Sequence, residues 1–199
     1  ADDNGLFLIE DACHALGAKY KEKKVGTFAD MTILSFHPVK HITTGEGGAV
    51  LTNNDEFALK LRSLRNHGID KAPADRDNWI YDMKYLGENY RITDIQCALG
   101  LSQIKRIEEF IKRRQEIVDV YNKEFKDVRW IETPKTKRDV INAWHLYTII
   151  LRDGASRKDF FDYMRKNNIG VNVHYIPSYR FSYYKKHFNF KPKDFPVTE

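Results

Sequence analysis

The chain has 199 residues, enough for one domain with a sizeable core or for one domain and part of another. Hydrophobic residues at 42% and charged residues at 31% read as a soluble globular protein, and the longest apolar runs, such as LYTIIL, are far too short to span a bilayer. The net charge of +5 and pI of about 9.0 admit a nucleic-acid partner, but the bases alternate with acids in IKRIEEFIKRRQEIVDVYNKEFKD, the pattern of a solvated helix face.

In chain order, GLFLIE (5–10) reads as a buried strand with Asp11 at or just past its end. KYKEKKVGT (19–27) reads as a hairpin or loop, ADMTILSF as a second strand and GGAVLTN as a third. Asn54 is placed to cap a helix that runs to a stop at Gly68. Residues 69–84 are charged, carry Pro73 and read as an exposed loop. Thr93 is placed to cap a second helix, and a third follows with little or no break. Past Trp130 the texture changes: AWHLYTIIL reads as a strand, SRKDFFDYMRKNN as a capped helix stopped by Gly170, and VNVHYI as another strand. No internal repeat or low-complexity segment stands out. The expected division is 1–105 and 106–199, an α/β sheet domain followed by a small α+β unit.

Ligands on open α/β sheets gather beyond the C-terminal strand ends, and Asp11, Ser35 and Lys40 all follow such ends. A lysine amine condenses with an aldehyde, that of pyridoxal phosphate being the common case. A carboxylate against the cofactor's ring nitrogen favours its protonated form, and hydroxyls and backbone N–H groups near a turn suit its phosphate. Each residue has an ordinary reading too. A carboxylate after a strand is often a turn residue, a lone lysine usually faces solvent, and TTGEGG alone is a flexible turn. It is not a Walker loop, and no Gly-x-Gly-x-x-Gly occurs.

Seven histidines are present, none in a His-x-x-x-His helix motif with a Glu base. His37 and His41 are four apart, but Pro38 between them argues against a helix, so no metal site is expected. Cys13 and Cys97 are the only cysteines and make no disulfide framework, which points to a reducing cytoplasm. In its small apolar setting Cys13 reads as structural rather than nucleophilic. The opening at Ala1 and the ending KPKDFPVTE read as those of a fragment of a longer protein.

The stretch LIEDACHALGAKYKEKKVGTFADMTILSFHPVKHITTGEGGAVLTN resembles the core of the DegT/StrS family of sugar-nucleotide aminotransferases. The resemblance continues through LRNHGI, YLGENYRITDIQCALGLSQI, AWHLYTIIL and VNVHYIP, in order, over nearly the whole chain. It implies the type I pyridoxal-phosphate-dependent aminotransferase fold, with a partial large domain and a small C-terminal α+β domain. The cofactor implied is pyridoxal 5′-phosphate. The reaction implied moves an amino group from glutamate to a nucleotide-linked 4-keto-6-deoxy sugar, for bacterial surface-glycan or flagellin-glycan synthesis. SFHPVKHITTGEGG and VNVHYIPSYRFSYYKK are similar to one branch, the 4-aminotransferases of the pseudaminic-acid pathway.

Carried over residue by residue, Lys40 in SFHPVK matches the Schiff-base lysine and proton carrier, and Ser35 matches a phosphate-binding serine. Asp11 in EDACHA matches the carboxylate on the pyridine nitrogen, and His14 a position near the cofactor ring. Asn89 in GENYR matches an asparagine that reaches the cofactor phosphate of the other subunit, so a homodimer is implied. Arg91, His174 and Tyr175 match substrate-facing positions. The family's first half, which supplies a phosphate-gripping turn and a ring-stacking aromatic, precedes the matched part. A truncated or non-catalytic member with a binding or regulatory role is therefore the alternative. Sugar dehydratases of the same fold carry histidine in place of the lysine, and Lys40 argues against them. No nucleic-acid or membrane partner is expected.

Overall fold

A computed structural model describes residues 1–70 and 79–199 of the chain. They separate into two compact units, Ala1–Ile150 and Leu151–Glu199.

The first unit is organised around a three-stranded sheet in the order β1-β4-β5. Strand β1 (Ile9–Asp11) runs parallel to β4 (Met31–Ser35), with Asp11 opposite Ile33. Strand β5 (Gly48–Leu51) runs antiparallel to β4, with Ser35 opposite Gly48. Alternation in the β4 sequence MTILS sets its faces: Thr32 and Leu34 are buried and Ile33 is exposed. The buried Thr32 hydroxyl donates to Glu10 Oε2 at 3.0 Å, and Gly26 N–H reaches the same oxygen at 3.2 Å, so the centre of the sheet leaves neither donor unpaired.

The sheet is shorter and more mixed than the sequence suggests. GLFLIE was expected as a strand, but only Ile9–Asp11 finds a partner. Leu6, Phe7 and Leu8 stay exposed, and the ladder ends at the Leu8 carbonyl, which accepts the Met31 N–H at 3.3 Å. Nor does a helix connect the parallel pair. The link is the hairpin of β2 (Lys19–Tyr20) and β3 (Lys23–Lys24), turned by Lys21 and Glu22 at φ +46° and +62°. Strand β9 (Val140–Ile141) pairs with the outer edge of β2.

Helix α1 (Asp55–Leu64) begins as expected, Asn54 Oδ1 accepting the Phe57 N–H at 3.1 Å. It stops four residues short of Gly68, whose N–H returns to the Ser63 carbonyl at φ +68°. The ends of the expected 69–84 loop, β6 (Ile69–Asp70) and β7 (Asp82–Met83), pair antiparallel, while Pro73 and its neighbours lie outside the described residues. Helix α2 (Asp94–Ile104) opens on a capping box between Thr93 and Gln96, and α3 (Ile107–Phe125) follows after Lys105 and Arg106. The expected boundary at 105/106 thus falls at the α2–α3 junction. Strand β8 (Ile131–Glu132) follows α3.

Of the expected strand AWHLYTIIL only Ile150–Leu151 (β10) is extended and paired. In the second unit Ser156 caps α4 (Arg157–Lys166), its hydroxyl accepting the Asp159 N–H at 3.2 Å. Asn168 at φ +60°, rather than Gly170, takes the left-handed turn after that helix. VNVHYI forms no strand. A short helix, α5 (Ser182–His187), follows, and Tyr179 stacks on Phe195 with ring centroids 4.5 Å apart.

Candidate active site

The loop that carries Lys40 is fixed by local chemistry. Beyond β4 the Phe36 N–H still reaches the Gly47 carbonyl at 2.8 Å, so the chain leaves and re-enters the sheet at one point. Pro38 prevents a helix, and Lys40 N–H closes a turn onto the His37 carbonyl at 3.0 Å. Thr43 and Thr44 then fold back, Thr43 Oγ1 and Thr44 N–H both donating to the Phe36 carbonyl at 3.0 Å. Gly47 sits at φ +153°, and a Cβ there would fall 2.4 Å from Thr44 Oγ1, so TTGEGG is a packed turn rather than a flexible one. Ser35 ends β4, its hydroxyl accepting the His37 N–H at 3.4 Å.

Asp11 ends β1 beside this loop. Its Oδ1 accepts the Cys13 N–H at 3.1 Å, the local turn contact expected of a carboxylate after a strand. Hydrogen bonds from Cys13 hold the Asp11 carboxyl below the usual carboxylate range, and the charges of His14 and Lys40 act in the same direction. The Cys13 thiol is pushed up by burial and then by Asp11, which keeps it a protonated structural group. The structure thus brings Asp11, His14 and Lys40 within one another's electrostatic reach, with Ser35 at the end of the same strand as the Lys40 loop.

Two further histidines complete this neighbourhood. The His145 ring lies 4.2 Å from that of His14 and 5.6 Å from that of His41, centroid to centroid. His41 is only 4% exposed; its ring nitrogens are buried, as is His145 Nδ1, which makes no hydrogen bond. Burial pushes His41 down to about 4, helped by the charge of Arg114, with the Ala143 backbone pulling weakly the other way. Burial also pushes His145 down to about 4, followed by the charges of His14, Lys40, His41 and Arg114. Sequence reasoning missed both as site residues. It tested His41 only against helical spacing with His37, and nothing local links position 145 to position 14. The one available signal was that His145 lies within AWHLY, a segment of the family resemblance.

Asn89 is exposed and bridges the backbone of Asn66. Arg91 Nη1 donates to Asn66 Oδ1 at 2.8 Å and approaches His67 Nε2 at 2.9 Å. His174 and Tyr175 belong to the second unit, exposed, with rings 4.5 Å apart. A cleft of the first unit, about 1240 Å3, is lined by Leu34, Gly47, Val50, Leu61 and Arg91, among others. Neither Lys40 nor Asp11 lines it, so it is a groove beside the sheet, and the titratable groups gather at the strand ends.

The folded chain has the architecture of part of a type I pyridoxal-phosphate-dependent aminotransferase. Residues 1–199 match the DegT/DnrJ/EryC1/StrS aminotransferase family, and the chain belongs to that family. It is 47% identical over 181 residues to the UDP-4-amino-4,6-dideoxy-N-acetyl-beta-L-altrosamine transaminase of Campylobacter jejuni, covering 90% of this chain and 47% of that protein. It is 44% identical to a Methanocaldococcus jannaschii protein of uncharacterised function, covering 100% of this chain and 53% of that one. Among solved structures it resembles Helicobacter pylori PseC, an aminotransferase of pseudaminic-acid biosynthesis, at 36% identity and TM-score 0.86, covering 96% of this chain and 51% of that one. It also resembles Spr1654 of Streptococcus pneumoniae in its PMP form, at 32% identity and TM-score 0.88, covering 96% and 50%. The chain spans about half the length of the curated relatives it matches.

Aminotransferases of this family depend on pyridoxal phosphate, and the donor set suits that group. An amine, Lys40, stands in reach of a carboxylate, Asp11, that stays ionised. The neighbouring His41 and His145 are kept neutral and so add no positive charge beside a cationic ring. Among the described residues no helix is long and apolar enough to cross a membrane.

Proposed function

We propose that the protein carrying this chain is a pyridoxal-phosphate-dependent aminotransferase that moves an amino group from glutamate to a nucleotide-linked 4-keto-6-deoxy sugar, in the synthesis of surface or flagellin glycans. The observation that carries the reading is the convergence of Asp11, His14 and Lys40 at the C-terminal ends of β1 and β4 in a member of this family. The activity named for the Campylobacter jejuni relative supports the sugar class.

When bound, the cofactor supplies an aldehyde that condenses with amines and a ring that withdraws electrons. The chain's own groups do the rest. Asp11, kept ionised by the Cys13 hydrogen bonds, holds a proton on the ring nitrogen. Ser35 Oγ would donate to the phosphate, and His14 would flank the ring. Lys40 Nζ would hold the cofactor's aldehyde carbon and, as a neutral amine, would serve as the proton carrier. Asn89 would donate its side-chain amide to the phosphate of a neighbouring subunit in a homodimer. Arg91 binds the substrate; to do so it exchanges its Asn66 and His67 partners for the sugar nucleotide. His174 and Tyr175 approach the sugar. Residues 1–105 then form the C-terminal part of the large domain and 106–199 the small one, and the enzyme works in the cytoplasm.

The test is a coupled one. The full-length protein with pyridoxal phosphate is given glutamate and a panel of nucleotide-linked 4-keto sugars, and products are read by mass. An amino sugar formed with 2-oxoglutarate supports the reading. Glutamate-dependent bleaching of the cofactor with no product on any keto sugar retains the transaminase and discards the substrate class.

A further inference from the structure

Trp144 carries a bulky side chain at φ +52°, a backbone region such residues avoid. Its surroundings hold it there. Its N–H donates to Asn142 Oδ1 at 2.9 Å, and its indole N–H donates to Gln115 Oε1 at 2.7 Å. Arg114, the preceding residue on α3, donates to the carbonyls of Trp144 at 2.9 Å and His145 at 3.4 Å. Strain of this kind persists where neighbours over-determine the backbone, and it clusters at functional sites.

What this turn presents is His145. Its ring meets that of His14 at 4.2 Å with a 58° tilt, and that of His41 at 5.6 Å with a 51° tilt. His145 Nδ1 is buried and makes no hydrogen bond, so that edge of the ring is held by packing.

We propose that His145 is a positioning residue of the candidate active site: fixed by the Trp144 turn and α3, its ring sets the orientation of His14 beside Asp11 and Lys40. The inference rests on the cofactor-binding reading of that site. Four groups act on the ring: His14 follows β1, Lys40 and His41 lie in the loop after β4, and Arg114 lies on α3. Burial, then His14, Lys40, His41 and Arg114, disfavour a charged His145, so it packs against His14 as a neutral plane.

Positioning by ring packing means that a ring without nitrogen should replace His145 and a methyl should not. Full-length apoprotein is titrated with pyridoxal phosphate, and the ring resonance of His14 is followed by NMR. His145→Ala should raise the Kd about tenfold and shift the His14 resonance, while His145→Phe stays within about threefold of wild type. Equal binding by wild type and His145→Ala, or equal losses in the Ala and Phe variants, overturns the proposal. Should His145→Ala not fold, Arg114→Gln leaves all three rings in place and frees the turn. It is expected to move the His14 resonance and the Kd in the same direction, and no movement overturns the proposal. A wild type that binds no pyridoxal phosphate overturns the functional reading and this inference together; a wild type that binds while these variants match it overturns this inference alone.

Discussion

The backbone N–H of Thr43 donates to the side-chain oxygen of Gln103 at 2.9 Å, tying the loop that follows Lys40 to α2. Gln96, two turns earlier on the same helix, donates to the Glu46 carbonyl at 2.9 Å, so one helix grips the loop at two points. Gln103→Ala leaves a part-buried N–H without its acceptor and should cost about 1–2 kcal/mol. Gln103→Glu keeps an oxygen there and should cost less. Urea denaturation of both variants checks the order; equal losses contradict the role given to the Gln103 oxygen.

Acid should destabilise the protein before its carboxylates titrate. His41 and His145 are pushed down to about 4 from an ordinary 6.5. Folded values below unfolded ones mean that the unfolded chain binds more protons between those limits, so stability is full above pH 6.5 and falls as pH drops toward 4. Asp11 acts in the same sense lower down: its depressed carboxyl contributes above the ordinary 3.8, and that contribution is lost as pH falls through its folded value. Replacing His41 with Met, which fills a similar volume without titrating, should flatten the decline. Unfolding free energies at a series of pH values measure it, and an unchanged slope in His41→Met contradicts it.

Two glycines separate backbone strain from collision. At Gly68, φ is +68° and a Cβ would lie 1.7 Å from the Tyr85 carbonyl oxygen; at Gly45, φ is +82° and nothing lies within 4 Å. Gly45→Ala should therefore cost only the left-handed backbone penalty of about 1–2 kcal/mol. Gly68→Ala adds the collision and should cost about 3 kcal/mol or more in total. Thermal unfolding of the pair reads the difference.

The α2 cap predicts a smaller, local effect. Thr93 Oγ1 accepts the Gln96 N–H at 3.3 Å while Gln96 Oε1 accepts the Thr93 N–H at 3.0 Å. Thr93→Ala should cost about 1 kcal/mol and Thr93→Ser much less, as read by denaturant midpoint.

Those caps were legible in the sequence because capping is local: Asn54, Thr93 and Ser156 each bond a residue three positions on. The ends of β1 and β4, and hence the placement of Asp11, Ser35 and Lys40, were legible for a similar reason, an apolar run meeting polar residues. Strand lengths were not. Residues 6–8 and the segment VNVHYI have strand composition, and pairing depends on partners the sequence does not name. The Gly170 stop was misplaced because Asn168 also tolerates positive φ and comes first. The imidazole cluster was the least legible part. His14, His41 and His145 come from three separate segments, and only the Trp144 turn against α3 brings the third to the other two.

The central claim is that Lys40 is the amine that holds the cofactor. Full-length protein is incubated with pyridoxal phosphate, reduced with borohydride and digested, and the modified peptide is located by mass, with Lys40→Ala alongside. The account predicts one dominant adduct on Lys40 in the wild type, visible absorbance that glutamate bleaches, and neither in the variant. An adduct scattered over surface lysines, or equal modification of Lys40→Ala, would contradict it.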